Sequence, residues 1–420
     1  MSKWTGNTVD DITLFIKDGT HGTHKDFPNG IPLLSAKDIE GGKLMVPDDC
    51  RTISESDYKQ IHANYEILDD DILLTLVGTI GRVAIVKDLK RKITFQRSVG
   101  ILRIDKNKVF PAYSYYFFQS NEFQRQLERS KNASAQGGVY LGELAKAKVL
   151  HPESLLEQSQ IAKILSTADT VIEKTQAAIA KYKAIKQGLL HDLFTRGIDI
   201  NTGKLRHKYE DAPELYKESK LGWVPKAWDV EIFSETSEII NGGTPSTQNK
   251  EYWNGNIPWL SVEDFNKERR FVCDAIKKIS DLGLKNSATN LLKKGMIIIS
   301  ARGTVGVIAQ VGRDMAFNQS CYGINSQKQN LINDFIYYFL LHYKTKFGFS
   351  SFGSVFSTIT RDYFDSMEIA FPQNECEMHE IVNKLSQVDN KLLSEQAYLT
   401  KLQAIKQGLM SDLLTGRKRV

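Results

Sequence analysis

The sequence predicts an α+β protein that contains two copies of one domain, each followed by a long helix. Three observations lead to this prediction. A six-residue word occurs twice, weaker matches surround it at nearly the same offset, and each globular segment is followed by apolar residues at a mean spacing of 3.5. The 420 residues are also too many for one ordinary hydrophobic core, so two or three domains are expected.

The strongest internal match lies in two segments with helical character. Residues 184–189, AIKQGL, recur as residues 404–409 at an offset of 220. Further identities in the same register pair Asp192, Leu193 and Thr195 with Asp412, Leu413 and Thr415. A gapless match of this length indicates an internal duplication.

Matches at offsets between 220 and 226 extend through the segments that precede these helices. Residues 31–39, IPLLSAKDI, match residues 257–265, IPWLSVEDF, and residues 77–86, VGTIGRVAIV, match residues 302–311, RGTVGVIAQV. The second pair predicts two strands joined by a turn in which glycines supply the backbone geometry. Aromatic-rich segments follow and predict helices packed on these strands. Each globular copy is therefore predicted to be α+β.

The two long helical segments carry apolar residues at alternating spacings of four and three, which is typical of a coiled-coil seam. Polar residues interrupt the seam at equivalent places, Thr175 with Glu395 and Lys186 with Lys406. Because polar groups on a seam fix its register, we expect the two helices to pair with each other, and an antiparallel pair would place the globular copies at opposite ends. The alternative is that each helix is an ordinary amphipathic helix packed on its own domain. The remaining seam positions are Ile161, Leu165, Ala168, Ile172, Ile179, Tyr182, Leu189 and Leu193, and Ile381, Leu385, Val388, Leu392, Leu399, Leu402, Leu409 and Leu413.

Composition and missing motifs restrict the function. The chain contains no run of eighteen apolar residues and no basic segment followed by an apolar one near its first residue, so we expect a cytoplasmic protein. The four cysteines are far apart, which predicts reduced thiols. The sequence has no GxxxxGK phosphate loop, no GxGxxG after a strand and no HExxH or paired-cysteine metal motif. These absences argue against ATP hydrolysis and against a zinc site in this chain.

The order of a domain of about 150 residues, a helix ending in AIKQGLLHDLFTRG, a second such domain and a second helix resembles the specificity subunit of a Type I restriction-modification system. The resemblance covers essentially the whole chain. Other motifs that carry it are Gly222, Trp223, Pro225 and Trp228, the turn at residues 242–246 (GGTPS), IPWLSVED at residues 257–264, RGTVG at residues 302–306 and FNQS at residues 317–320. The first copy departs from several of these, with DGTHG for GGTPS and FQRS for FNQS, which leaves its target sequence open.

The resemblance implies a tandem duplication of an α+β target recognition domain followed by a long helix, with the two helices pairing as an antiparallel coiled coil. The resemblance also implies that such a subunit performs no chemistry and carries no catalytic residue, metal or cofactor of its own. Each domain recognises one half of a bipartite double-stranded DNA target, and the spacer helices keep the halves a fixed distance apart. The implied domains are target recognition domain 1 at 1–155, a central spacer helix region at 156–200, a linker at 201–227, target recognition domain 2 at 228–373 and a C-terminal spacer helix region at 374–420.

The resemblance also implies partners and their cofactors. Two methyltransferase subunits, which use S-adenosylmethionine to methylate adenine, would dock on the spacer helices. Two restriction subunits, which use ATP and magnesium, would join them where such subunits exist. Candidate residues for these subunit contacts along the helices are Lys181, Lys186, Gln187, Lys401, Lys406 and Gln407.

Polar and basic side chains around the predicted turns are the candidates for DNA contact, because Arg, Gln and Asn suit base edges and Arg and Lys suit phosphates. In the first copy they are Thr20, His21, Thr23, His24, Lys25, Lys37, Thr79, Arg82, Gln96 and Arg97. In the second copy they are Thr244, Ser246, Thr247, Gln248, Arg302, Thr304, Asn318 and Gln319. The competing interpretation of each is an exposed loop residue or a turn-stabilising hydrogen bond.

Three alternatives belong to other classes. The GxxG turns at residues 78–81 and 303–306 match the loop with which KH domains bind single-stranded nucleic acid. A two-headed scaffold would join two protein-binding domains through the coiled coil, and it would lack salt-dependent affinity for a particular duplex. A self-contained DNA enzyme, a nuclease or a methyltransferase, would need a metal-binding carboxylate cluster or a cofactor loop, and the sequence shows neither with convincing spacing. A metal site at His21 and His24 is weakly indicated, because Pro245 and Gln248 replace these histidines in the second copy.

Overall fold

The computed structural model describes residues 3–132, 137–265, 269–344, 346 and 358–420. The chain divides into two compact units, one formed by Met1–Gln176 with Ala397–Val420 and the other by Ala177–Gln396. Each unit therefore combines a globular part with one segment of each long helix. Both globular parts mix strands and helices, which confirms the predicted α+β class and its tandem duplication.

The secondary structure of the first globular part precedes the long central helix. Its strands are β1 (Trp4–Thr8), β2 (Thr13–Asp18), β3 (Ile31–Leu34), β4 (Ile39–Glu40), β5 (Lys43–Leu44), β6 (Thr52–Ile53), β7 (Ile72–Thr75), β8 (Val83–Ile85), β9 (Thr94–Phe95), β10 (Val99–Ile104) and β11 (Lys148–Pro152). Its helices are α1 (Val9–Ile12), α2 (Glu55–Ile61), α3 (Pro111–Gln119), α4 (Asn121–Asn132) and α5 (Leu141–Lys146), with a 3-10 turn at Ala36–Asp38. The central helix is α6 (Leu155–Thr195).

The second globular part follows with a similar order of elements. Its strands are β12 (Ile198–Asp199), β13 (Lys204–Leu205), β14 (Tyr216–Ser219), β15 (Gly222–Pro225), β16 (Trp228–Ile232), β17 (Ser237–Asn241), β18 (Ile257–Leu260), β19 (Phe271–Val272), β20 (Lys277–Ile279), β21 (Leu291–Leu292), β22 (Ile297–Ser300), β23 (Ile308–Val311), β24 (Met315–Phe317), β25 (Cys321–Ser326) and β26 (Glu368–Pro372). Its helices are α7 (Phe233–Thr236), α8 (Val262–Phe265), α9 (Asp281–Lys285), α10 (Asn333–Tyr343) and α11 (Arg361–Ser366), with 3-10 turns at Pro213–Leu215 and Lys250–Tyr252. The C-terminal long helix is α12 (Glu375–Leu413).

The two globular parts share one strand plan. In the first, an antiparallel sheet has the order β2-β10-β7-β8, and a second sheet has the order β6-β3-β9 with β3 and β9 parallel. In the second, the equivalent orders are β17-β25-β22-β23-β19 and β20-β18-β24-β21, with β18 and β24 again parallel. In each part an early strand pairs antiparallel with the last strand, β1 with β11 and β16 with β26.

The long helices contact each other within each unit and run antiparallel. In the second unit Tyr182 and Lys186 of α6 contact Lys391 and Asp389 of α12, so residue numbers rise on one helix as they fall on the other. In the first unit Asp169 of α6 contacts Lys406 of α12. All twenty predicted seam positions are buried or half-buried. The alternative of a helix packed on its own domain is partly right as well. Leu165 and Leu413 lie in the core of the first globular part, and Leu193 and Leu385 lie in that of the second.

Residues 201–227, predicted from the sequence to be a linker, are folded. They contribute the hairpin β14-β15 and one strand of the hairpin β12-β13. Leu221 and Val224 are buried in the same core as Trp228. Because the segment is mostly polar, its composition did not indicate that these few apolar residues would be buried.

The GxxG segments are strand-connecting turns. Gly78 and Gly81 have φ angles of 79° and 87° between β7 and β8, and Gly303 and Gly306 have φ angles of 76° and 78° between β22 and β23. A KH loop instead joins two helices, so this setting contradicts the KH-like alternative. Within the described residues, no helix is long and apolar enough to span a bilayer.

Candidate nucleic-acid interface

Backbone hydrogen bonds bring four segments of the first globular part together. The Thr20 amide donates to the Phe95 carbonyl at 2.7 Å, and the Arg97 amide donates to the Thr20 carbonyl at 3.1 Å. The Ala36 amide donates to Ser98 Oγ at 3.1 Å, which brings in the 3-10 turn that carries Lys37. The Leu76 amide donates to the Ser98 carbonyl at 2.8 Å and thereby fixes the start of the GxxG turn. The segments 19–25, 35–38, 76–82 and 96–98 therefore form one connected surface.

The candidate side chains of the first part fall into two groups. His21, Thr23, Lys25, Lys37, Thr79 and Arg97 are exposed. Thr20, His24, Arg82 and Gln96 are half-buried. An Arg82 guanidinium nitrogen donates to the Ile39 carbonyl at 3.1 Å, so this side chain stabilises the fold as well as lying near the surface. The backbone carbonyl of Thr79 accepts a hydrogen bond from the Thr75 hydroxyl and thereby stabilises the turn.

The two histidines of the HGTH segment bond to protein groups. His21 Nε2 lies 2.6 Å from Asp18 Oδ2, and His24 Nε2 lies 2.8 Å from Thr20 Oγ1. The other ring nitrogen of His24 lies 3.4 Å from Asp57 Oδ1. Among the residues that the structure describes, no group of three or more His, Cys, Asp or Glu side chains is arranged to hold a metal ion. The contacts of both rings are with side chains of the same globular part.

The second globular part contains the equivalent four-segment surface. The Gly243 amide donates to the Phe317 carbonyl at 3.0 Å, and the Asn318 amide donates to the Leu260 carbonyl at 2.9 Å. The Ala301 and Arg302 amides both donate to the Ser320 carbonyl, at 2.8 Å and 3.2 Å. The segments 242–248, 260–264, 300–306 and 318–320 therefore meet as their counterparts do in the first part.

Glycine is required at position 243, where this loop passes close to the backbone of Ala288 and Thr289. A Cβ atom there would lie 2.4 Å from the backbone carbon of Ala288 and 2.4 Å from the nitrogen of Thr289, which is closer than side chains approach. The Gly243 carbonyl accepts a hydrogen bond from Trp259 Nε1 at 2.9 Å. These contacts hold the start of the loop that carries Thr244 and Gln248.

Most candidates of the second part are at the surface. Thr244, Ser246, Thr247, Gln248, Arg302, Thr304 and Gln319 are exposed, and Asn318 is half-buried. The Thr244 hydroxyl donates to Gln319 Oε1, which links two of the segments. Asn318 Oδ1 accepts a hydrogen bond from the Ser320 amide at 3.1 Å, so part of its polar capacity stabilises the turn. The Thr304 backbone carbonyl accepts from Ser300 Oγ at 2.5 Å.

The two surfaces have the same backbone arrangement but carry different side chains. Arg97 and Gln319 occupy the same place after the parallel strand pair, and so do Gln96 and Asn318. Lys37 is replaced by Glu263 in the second part. Arginine suits guanine and glutamine or asparagine suits adenine, so two such surfaces can select different bases.

The candidate residues on the long helices are placed in two ways. Lys181, Gln187, Lys401 and Gln407 are exposed. Lys186 and Lys406 instead form ion pairs with Asp389 and Asp169, each at 2.5 Å, and the exposed fraction of each lysine side chain is 19%. The ammonium groups of these two lysines are therefore engaged inside the chain.

The partners of these lysines were not predicted from the sequence. Asp169 also accepts a hydrogen bond from Tyr116 Oη at 2.8 Å, and Asp389 accepts one from Tyr338 Oη at 2.7 Å. Both aspartates lie next to seam positions and recur at the offset of 220, so the comparison of the two copies contained the signal.

A family model described as Type I restriction modification DNA specificity domain matches the chain twice, at residues 1–182 and 225–404. The chain belongs to this family. The putative type I restriction enzyme MjaX specificity subunit of Methanocaldococcus jannaschii is 28% identical over 430 residues, which are 99% of this chain and 94% of the relative. The MjaIX specificity subunit of the same organism is 31% identical over 179 residues, 42% of this chain and 41% of the relative.

The fold has solved counterparts. One is the crystal structure of a Type I restriction-modification S subunit from M. genitalium. The match spans 98% of this chain and 96% of the M. genitalium chain, with 15% identity and a TM-score of 0.58. The two matched domains of the specificity family correspond to the two globular parts, and each contains one of the four-segment surfaces.

Proposed function

We propose that this protein recognises a bipartite double-stranded DNA target, with one half contacted by each four-segment surface. The observation that carries this proposal is the construction of two surfaces with the same backbone and different exposed side chains. To read a target with two different halves, the two surfaces must be placed equivalently on the DNA but must prefer different bases. Membership of the DNA specificity family supports the same conclusion.

The contacts divide by chemistry. Lys25, Lys37 and Arg97 in the first part are exposed cations near the joined turns and would contact phosphates or guanine. Gln248 and Gln319, also exposed, would contact adenine edges, and Arg302 would contact phosphate or guanine. The side chains of Arg82, His24 and Thr244 are bonded within the protein and would position their loops.

This chain would perform no catalysis and carry no cofactor. The proposed assembly contains two adenine methyltransferase subunits, which bring S-adenosylmethionine, and up to two restriction subunits, which bring ATP and magnesium. Lys181, Gln187, Lys401 and Gln407 are exposed on the long helices and are the proposed contacts with these subunits. Their recurrence at an offset of 220 offers the same surface to two copies of one partner.

The test is to express the chain together with its methyltransferase partner and sequence the host DNA for methylated bases. We expect methyladenine in one split motif, formed by two specified blocks around an unspecified spacer. A folded complex that binds S-adenosylmethionine but methylates no split motif would contradict the proposal. It would then favour the two-headed protein scaffold.

A further inference from the structure

The same three-residue cluster occurs once in each unit. In the first unit it consists of Tyr116 on α3, Asp169 on α6 and Lys406 on α12. In the second unit it consists of Tyr338 on α10, Asp389 on α12 and Lys186 on α6. Each cluster is a positioning triad, because it connects the globular part of its unit with both long helices.

The geometry of the two triads is nearly identical. The tyrosine hydroxyl donates to the aspartate at 2.8 Å in the first unit and 2.7 Å in the second. The lysine Nζ lies 2.5 Å from the other oxygen of the same carboxylate in both units. The Nζ also lies 5.7 Å from the centre of the tyrosine ring in both. Each carboxylate therefore has one oxygen bonded to the globular part and the other bonded to the opposite helix.

The tyrosines of both triads are too buried to be incidental surface contacts. The exposed fraction is 4% for Tyr116 and 0% for Tyr338. Burial and the neighbouring aspartate raise the pKa of both tyrosines far above the ordinary value, so both hydroxyls stay protonated and able to donate. A lysine on a coiled-coil seam is less favourable than an apolar residue, and such polar groups are used to fix one register.

We propose that the two positioning triads set the angle and height at which each globular part is attached to the long helices, and that they thereby determine which DNA spacer length is accepted. This inference rests on the proposed recognition of a split target. Adding one base pair to a spacer moves a half-site by about 3.4 Å and rotates it by about 35°. A globular part must hold its position against displacements of that size to reject the altered spacer. A displacement of about 3.4 Å would break both bonds to the aspartate.

The second triad has an additional brace. Arg270 donates to Tyr338 Oη at 3.1 Å and to Ser386 Oγ at 2.8 Å, and it forms an ion pair with Asp334 at 2.7 Å. This arginine joins the globular part to α12 independently of the tyrosine hydroxyl. Loss of that hydroxyl should therefore matter less in the second unit than in the first.

The experiment uses the full chain in complex with its methyltransferase. Methylation rates are compared on duplexes with the native spacer and with spacers one base pair longer or shorter. For Tyr116→Phe we expect the preference for the native spacer to fall at least about threefold, since a buried hydrogen bond to a charged acceptor is lost. Tyr338→Phe should have a smaller effect. Tyr113→Phe is the matched control, because its hydroxyl donates to the Leu150 carbonyl inside the globular part at 2.8 Å.

A second variant separates positioning from stability. Replacing the whole first triad by Tyr116→Phe, Asp169→Leu and Lys406→Leu removes its three polar groups together, so none of them is left without its partner and thermal stability should be unchanged or higher. The preference for the native spacer should nevertheless fall, while affinity for a duplex with only one specified block stays the same. Folded variants that keep the wild-type preference would overturn the inference. A wild-type complex that recognises no split target would instead overturn the proposed function itself.

Discussion

Glu377, near the start of α12, forms a buried ion pair with Arg206, whose Nη2 lies 2.7 Å from Oε2 of the carboxylate. The same carboxylate accepts hydrogen bonds from Trp228 Nε1 and from the Ile198 amide, each at 2.9 Å. One side chain thus connects the C-terminal long helix with strands β12 and β16 of the second unit. This connection explains why the segment between the central helix and β16 is folded.

The ion pair makes Glu377 a strong determinant of stability. Glu377→Gln would leave the Arg206 guanidinium buried without its counter-charge, and we expect the free energy of unfolding of the second unit to fall by about 3 kcal/mol or more. Chemical denaturation followed by circular dichroism measures the change. Glu375→Gln is the control, since Glu375 is exposed on the same helix. Equal effects of both substitutions would show that the buried pair is unimportant.

His342 makes stability depend on pH. Its ring is stacked on Phe194 with centroids 5.6 Å apart, and burial, followed by the positive charges of His191 and Lys346, lowers its pKa to about 4. The unfolded chain takes up this proton near pH 6.5, so protonation favours unfolding. The contribution of neutral His342 is complete above about pH 6.5 and is lost as the pH falls towards 4, by at most about 1.4 kcal/mol per unit. Denaturation midpoints between about pH 4 and 7 should show this slope, and His342→Phe should remove it.

Gly188 and Gly408 lie inside the long helices, and nothing lies within 4 Å of the position that a methyl side chain would occupy, so alanine fits at both. Each substitution to alanine should raise the free energy of unfolding by roughly 0.5–1 kcal/mol, because glycine is the weaker helix former. Gly243→Ala is the contrasting variant, since a Cβ there meets backbone atoms. The melting temperature should therefore rise for the helix variants and fall for Gly243→Ala. A lower melting temperature for Gly188→Ala would contradict the open environment of that position.

Arg97 and Arg82 separate DNA contact from loop support. Arg97 is exposed, whereas Arg82 donates to the Ile39 carbonyl at 3.1 Å. Arg97→Ala should weaken binding of the first half-site by about 1–3 kcal/mol and leave thermal stability unchanged. Arg82→Ala should lower thermal stability as well. Fluorescence anisotropy with duplexes that carry one specified block at a time provides the measurement, and an unaltered affinity for Arg97→Ala would remove that residue from the proposed interface.

The duplication, the α+β class and the helix pair could be predicted because they follow from patterns that the chain repeats. The spacing from Ile161 to Leu193 marks side chains that the structure buries or half-buries. The ion pairs of Lys186 and Lys406 could not be predicted in the same way, because spacing places a residue on a seam but does not identify its partner. Each lysine pairs with an aspartate on the other long helix, and that aspartate also accepts a hydrogen bond from a tyrosine of the globular part. Tyr116 is 53 positions from Asp169 in the sequence.

The candidate DNA surface could be predicted only as a set of turns. The match of residues 77–86 with residues 302–311 identified the hairpins, but their approach to residues 96–98 and 318–320 depends on sheet order. Arg82 illustrates the limit, since its sequence position is equally suited to contacting DNA or the Ile39 carbonyl. Residues 201–227 resemble a linker in composition because few apolar residues, among them Val224, pack into the core.

The central claim is that each globular part recognises its own block of one split DNA target. The most direct measurement is the affinity of the complex for a duplex with the split motif identified by methylation sequencing, compared with duplexes in which either block is scrambled. We expect affinity to fall by at least about tenfold on scrambling either block, and the affinity for the intact target to decrease as salt increases. If Arg97→Ala and Arg302→Ala each abolish discrimination at a different block, the assignment of blocks to parts is established. Equal affinity for intact and scrambled duplexes would contradict the account.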